Sequence, residues 1–275
     1  MTRPEGLASD SIDALAAGPD GTIWASTSIG INRIDGEHRD LYLNGATAVG
    51  LLVDRENKLW AGTNRGVVRA ENGRWRYLPM PTGLNLQDVT TIAGDHEKGV
   101  WLFDAHKGLY RWANGHITDF SNEPLLKGKS ILAALGDDRG NMWFGPNQGG
   151  VVVFDGSRFH AYSEPDGLAG GSVNAVHIED KDTIWIGTAR GLSRFDGQRF
   201  VTWNTSNGLP GDRVQWILTD RGDRIWLGYS TGVAYLSSSD LDRAARDSSY
   251  RVSFQFLDDG DGLKGNPDRG NSGLT

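Results

Sequence analysis

The apolar residues of this chain come in short bursts separated by Gly, Asp and Asn. The pattern is clearest between 172 and 203, where "SVNAVHIE" (172–179), "TIWIGT" (183–188), "GLSRFD" (191–196) and "RFVTW" (199–203) follow one another. Runs this short, rich in Val, Ile, Trp, Phe and Thr, predict β-strands. The residues between them predict tight turns, because Asp, Asn and Gly tolerate left-handed backbone and cap their own turns. Asp196-Gly197 is such a hairpin turn. The segment is therefore expected to form four antiparallel strands, a to d. Strand a is nearly apolar on both faces, as a strand covered on both sides requires. A Gly-Leu linker, "NTSNGLPGD" (204–212), leads onward.

The same pattern recurs along the chain. A Trp inside a short strand pattern appears at Trp24, Trp60, Trp101, Trp143, Trp185 and Trp226, at spacings of 36, 41, 42, 42 and 41. Two residues later stands Ser26, Gly62, Gly145, Gly187 or Gly228, with Phe103 the exception. Six or seven residues later comes Gly30, Gly66, Gly108, Gly149, Gly191 or Gly232. Three before it lies Gly21, Asn57, Gly140, Asp182 or Asp223, while Lys98 departs. Six units of four short strands at a period of about 42 residues predict an all-β fold, a β-propeller of four-stranded antiparallel blades. One blade cannot bury both faces alone, so blades stack and the recurrent Trp is a packing residue between them.

The ends extend the count. "PEGLASDSIDALAA" at the start matches a linker plus strand a, and "DGDGLKGNPDRGNSGLT" (259–275) matches a linker plus the start of a seventh blade. Seven such units need about 294 residues, so residues 1–275 are expected to be a single propeller lacking about twenty residues of its last blade. "SSSDLDRAARDSS" (237–249) interrupts strands c and d of the sixth unit and predicts a short capped helix, with strand d resuming as "YRVSFQFL".

Composition narrows the function classes. With no Cys there is no disulfide or thiolate metal site, and no run approaches the ~18 apolar residues of a membrane helix. A net charge of −7 argues against a nucleic-acid partner, which would call for a basic face. Phosphate-loop, nucleophile-elbow and zinc-protease motifs are absent, and six histidines fall at unrelated repeat positions. "DDGDG" (258–262) resembles a calcium loop only faintly, because the twelfth position from Asp259 is Gly270 rather than an acid. No metal and no cofactor is expected.

The pattern "D…G-x-[IL]-W-x-G-T-x-x-G-[LV]-x-R-[FA]" with "[DN]-G-L" linkers resembles the two-component regulator propeller repeats, through essentially the whole chain and most clearly at 137–236. The third and fourth units depart with "WLFDAHKG" and "WFGPNQGG", each one residue longer between Trp and Gly. The resemblance implies an extracytoplasmic, periplasmic sensor propeller. Such propellers often occur two in tandem, followed by a small β-sandwich, a membrane helix and an output domain such as a histidine kinase or diguanylate cyclase. It implies further domains of the same receptor as partners, and no membrane insertion by this segment.

Binding residues are sought where the repeat varies. The b–c loops share one end with the d–a linkers, and they read Ser28-Ile29, Asn64-Arg65, Ala105-His106-Lys107, Pro146-Asn147-Gln148, Ala189-Arg190 and Tyr229-Ser230-Thr231. Arg65, His106, Lys107 and Arg190 on an acidic protein suit an anionic or hydroxyl-rich ligand, such as an oligosaccharide. Asn147 and Gln148 add amides, and the Tyr229 ring is expected to stack on a sugar. Asp13, Thr90, Asn174 and Gln215 at the starts of strand a stand near the same mouth. Two other classes stay open: an interaction or homodimerisation propeller without a small ligand, and a propeller lyase resembling virginiamycin B lyase.

Overall fold

The computed structural model describes residues 7–9, 11–71, 74–220, 222–247 and 249–262. The start expected for a seventh blade falls almost wholly outside them. The repeat positions explain why each unit folds alike. In five of the six blades residue −3 from the Trp takes left-handed backbone, at Gly21, Asn57, Lys98, Gly140 and Asp223, which closes the a–b hairpin. Thr27, Thr63 and Thr188, three residues after Trp, accept the amides of the b–c turn or donate to its Gly carbonyl. The "[DN]-G-L" linkers form one helical turn. At Asn204 and Asp258 the backbone N–H donates to the side chain three residues on, Asn207 and Asp261 respectively. Gly167, Gly208 and Gly262 then stop the turn at left-handed φ, and Leu168 and Leu209 bury behind the first two.

Six four-stranded antiparallel blades result, each ordered a-b-c-d, and the fold is a β-propeller. The first comprises β1 (Ile12–Ala17), β2 (Ile23–Thr27), β3 (Ile31–Asp35) and β4 (His38–Tyr42). The second comprises β5 (Ala48–Val53), β6 (Leu59–Thr63), β7 (Gly66–Glu71) and β8 (Arg74–Tyr77). The third comprises β9 (Val89–Gly94), β10 (Val100–Asp104), β11 (Gly108–Ala113) and β12 (His116–Asp119). The fourth comprises β13 (Ile131–Gly136), β14 (Met142–Pro146), β15 (Val151–Phe154) and β16 (Phe159–Tyr162). The fifth comprises β17 (Val173–Ile178), β18 (Ile184–Thr188), β19 (Gly191–Phe195) and β20 (Phe200–Trp203). The sixth comprises β21 (Trp216–Thr219), β22 (Arg224–Tyr229), β23 (Gly232–Ser237) and β24 (Gln255–Leu257). The described residues up to Ile131 form one compact unit, and those from Leu132 onward a second.

Within each unit the blades interlock through the small residue of strand b. A Cβ at Gly62 would stand 2.7 Å from Val89 Cβ on the following blade, one at Gly145 2.7 Å from Val173 Cγ1, and one at Gly187 2.8 Å from Val214 Cγ1. The recurrent Trp packs beside these notches, and Trp60, Trp101, Trp143 and Trp185 are no more than 3% exposed. Large residues of the next strand c meet them, as Trp112 meets Trp60 at 5.2 Å and Phe195 meets Trp143 at 5.4 Å between ring centroids. The Arg69 guanidinium lies over both Trp60 and Trp112, at 5.4 and 5.5 Å.

Two sequence expectations need correction. In the fourth blade the glycine equivalent to Gly191 is Gly150, not Gly149. A Cβ at Gly150 would run into the Tyr162 carbonyl oxygen of strand d, just as one at Gly191 would meet the Trp203 oxygen. In the sixth blade the insertion is helix α1 (Ser238–Arg246), capped by Ser237 accepting from the Ser239 amide. Strand d is only β24, because residues 250–254 belong to the linker side. The Val252 amide donates to the Asn207 carbonyl at 3.0 Å instead of pairing with β23.

Candidate functional site: a basic cavity on the third blade

The b–c loop of the third blade is shaped by Asp104, itself 1% exposed. Its Oδ1 accepts the His106 and Lys107 amides, both at 3.0 Å, and its Oδ2 accepts the Asp88 amide. The loop therefore holds its form without using the His106 or Lys107 side chains, which stay exposed. Gly108 follows at φ +93°, and a Cβ there would stand 3.0 Å from Ser121 Cα. That close approach sets the loop against the linker after β12. The linker winds through helical turns, anchored by buried Leu126, and the Lys127 and Lys129 amides donate to the Glu123 and Leu126 carbonyls.

Loop and linker enclose a cavity of about 410 Å³. His106, Lys107, Lys127 and Lys129 line it, with Phe103 and Phe120 among its apolar walls. No carboxylate belongs to the lining; Asp88 lies 3.2 Å from His106 Nε2, and both groups are exposed. Lys127 Nζ donates to Asn122 Oδ1 at 3.0 Å, which leaves two of its three N–H groups for other acceptors. Cations of this kind, on walls partly apolar, suit a carboxylate, sulfate or phosphate group. Ligand cavities typically measure about 300–1,000 Å³, so this one is small but sufficient.

Of the residues singled out in the sequence, His106 and Lys107 share this cavity. Arg65 does not line it: on the second blade its Nη2 donates to the Gly45 carbonyl at 3.2 Å. In the second compact unit Arg190 is exposed and stands 3.7 Å from Glu164. Asn147 and Gln148 lie on an exposed loop of the fourth blade. Of the strand-a polar residues, Asn174 Nδ2 donates to the Val214 carbonyl, and burial raises the Asp13 carboxyl.

Tyr229 is not on the surface. It is 4% exposed, packed with Trp203, Leu209 and Val214 in the core of its unit, where burial raises its hydroxyl pKa. Its ring therefore has no face to offer a sugar. The position matches Thr27, Thr63 and Thr188, which are also buried, so the repeat register itself marks it as inward.

Sequence reasoning missed Lys127 and Lys129. Their signal is "KGK" (127–129) in a linker where the fourth, fifth and sixth blades have "[DN]-G-L". Asp258 of the "DDGDG" segment caps a helical turn, accepting the Gly260 amide, and among the described residues no cluster of three or more metal-ligating side chains forms. Among them, no helix is long and apolar enough to cross a membrane.

No protein-family model and no curated protein matches the chain. Solved structures do. A domain described as extracellular, from the hybrid two-component system BT3049 of B. thetaiotaomicron, aligns at TM-score 0.78 and 21% identity, covering 97% of this chain and 36% of that one. This chain thus spans about a third of that structure. Virginiamycin B lyase from Staphylococcus aureus aligns at TM-score 0.68 and 13% identity, covering 89% of this chain and 83% of that one. A GH74 xyloglucanase from Xanthomonas campestris aligns at TM-score 0.69 and 15% identity, covering 90% and 47%. These identities carry the fold and not a function. The chain is a β-propeller, and its blades resemble those of the extracellular domain of a hybrid two-component system.

Proposed function

We propose that this chain is an extracytoplasmic ligand-sensing propeller of a two-component receptor, and that it takes an anionic ligand at the third-blade cavity. The observation that carries the reading is the cavity itself: three lysines and a histidine gathered on an acidic protein, with no carboxylate in the lining. The likeness to the BT3049 extracellular domain supports the sensor class. In such a receptor the remaining domains are the partners that read the occupied state.

The test is calorimetry with digalacturonate, against neutral cellobiose as control. Digalacturonate is expected to bind saturably and less tightly as salt rises. Removing two lysine contacts in the Lys107→Ala, Lys129→Ala double variant should weaken it at least ~100-fold, each charged hydrogen bond contributing about 1.5–3 kcal/mol. Binding that ignores both salt and the double variant would remove the cavity from the reading.

A further inference from the structure

The repeat is broken at one position on the first blade and one on the second. Six residues before each recurrent Trp stands an acid, Asp54, Asp95, Asp137, Glu179 or Asp220, and it accepts the indole N–H of Trp60, Trp101, Trp143, Trp185 or Trp226 at 2.7–3.1 Å. In the first blade that position is Gly18. Likewise, the strand-c position filled by Trp112 and Phe195, which cover the Trp of the preceding blade, is Ala70 on the second blade. Trp24 therefore lacks the acid behind it, and it is met by Trp75 of strand d rather than by a strand-c ring.

A cavity of about 320 Å³ opens there. Three rings line it in a mutually packed group: Trp24 with Tyr42 at 5.8 Å, Trp24 with Trp75 at 6.0 Å, and Tyr42 with Trp75 at 5.6 Å. Asp20, Asn57 and Arg33 supply polar groups to the same lining. Asn57 Nδ2 donates to Asp20 Oδ2 at 2.9 Å, a bond that holds the Asp20 carboxyl below its usual range and ionised. Arg33 Nη2 pairs with Asp35 at 2.9 Å rather than stacking as Arg69 does.

The lining carries one carboxylate and one guanidinium, whose formal charges cancel. Aromatic rings offer the flat C–H faces of a pyranose a π-surface, and fixed carboxylate and amide groups meet its hydroxyls. We infer that this groove between the first two blades binds a neutral saccharide, at a site separate from the basic cavity. It lies at the a–b turn end, on Asp20 and Asn57, whereas the basic cavity uses a b–c loop.

Two measurements test this. The indole N–H resonances of Trp24 and Trp75 should shift saturably as cellobiose, lactose or xylobiose is added at millimolar concentration. Ala70→Phe, which copies the Phe195–Trp143 contact into the groove, should abolish that shift while leaving digalacturonate binding within about twofold. No shift with any of the three disaccharides overturns the inference. A shift that survives in folded Ala70→Phe protein overturns it too, because the sugar is then bound elsewhere. If that variant does not fold, the wild-type resonances decide: shifts confined to the Trp24 and Trp75 indoles support the groove, and shifts confined to other indoles reject it. Since the probes are neutral, loss of the basic-cavity reading would leave this result untouched.

Discussion

Trp60 Nε1 donates to Asp54 Oδ2 at 2.7 Å, across a hairpin that separates the two by six residues. Asp54 Oδ1 meanwhile accepts the Glu56 and Lys58 amides of that hairpin, both at 2.9 Å. One carboxylate thus closes the a–b turn and fixes the indole that the next blade packs upon. Turn chemistry and blade packing are coupled through a single side chain.

The most buried instance predicts the largest loss. Asp137 is 3% exposed and accepts from the Arg139 and Asn141 amides, the Asn141 side chain and Trp143 Nε1. Asp137→Ala strands those donors and should cost about 2–4 kcal/mol. Urea unfolding followed by Trp fluorescence measures it; a midpoint within error of wild type would mean the carboxylate only decorates the turn.

Two glycines with similar backbone separate strain from collision. Gly150 and Gly156 have φ of +82° and +93°, yet only Gly150 lies against strand d. Gly156→Ala should cost about 1 kcal/mol, the left-handed penalty alone. Gly150→Ala must also push β16 away and should cost about 3 kcal/mol or more. Equal melting temperatures for the two variants would return the repeat glycine to Gly149.

Tyr229 carries a buried hydroxyl with no hydrogen-bond partner. Tyr229→Phe removes an unpaid desolvation and should leave stability unchanged or raise it by up to about 1 kcal/mol. Tyr229→Ala should lose about 3–5 kcal/mol. A marked loss in the phenylalanine variant, read by thermal melting, would show that the hydroxyl is satisfied in solution.

Acid should weaken the fold in two windows. Burial lowers the His177 pKa, so the unfolded chain binds that proton first, from about pH 6.5 downward, and stability falls as pH drops below that value. The Trp226 indole, with the Gly222 and Arg224 amides, holds Asp220 at about 2. Its contribution is complete above the unfolded value of about 3.9 and is lost as pH falls toward 2. Urea midpoints between pH 2 and 7 should show both slopes. His177→Gln should flatten the upper slope and Asp220→Asn should lessen the lower, which Glu56 and other turn carboxylates share; slopes indifferent to both variants would refute the assignments.

The blades were legible because their determinants are local: turn glycines, the recurrent Trp and strand alternation all recur at fixed offsets. The fifth blade's four strands fall within a residue or two of their expected bounds. The acid at −6 stands at a fixed offset in five of the six repeats, but its bond to the indole is not legible in the sequence, because that needs the hairpin closed. The site was less legible. His106 and Lys107 stood out against the repeat, whereas Lys127 and Lys129 sit in a linker whose approach to the loop depends on Gly108 against Ser121. Tyr229 was misjudged because a polar tip suggested a loop where the register placed the end of a strand.

The fit of Val89 over Gly62, Val173 over Gly145 and Val214 over Gly187 has a direction: the notch lies on one blade and its filler on the next. Among the described residues the second, fourth and fifth repeats carry this notch, and the third, fifth and sixth carry its filler. The fifth repeat carries both, so a segment one period long with its bounds brings a filler for the notch before it and a notch for the filler after it. Lineages built on this joint can change blade number by recombination without inventing a new interface, while each b–c loop stays free to diverge on its own.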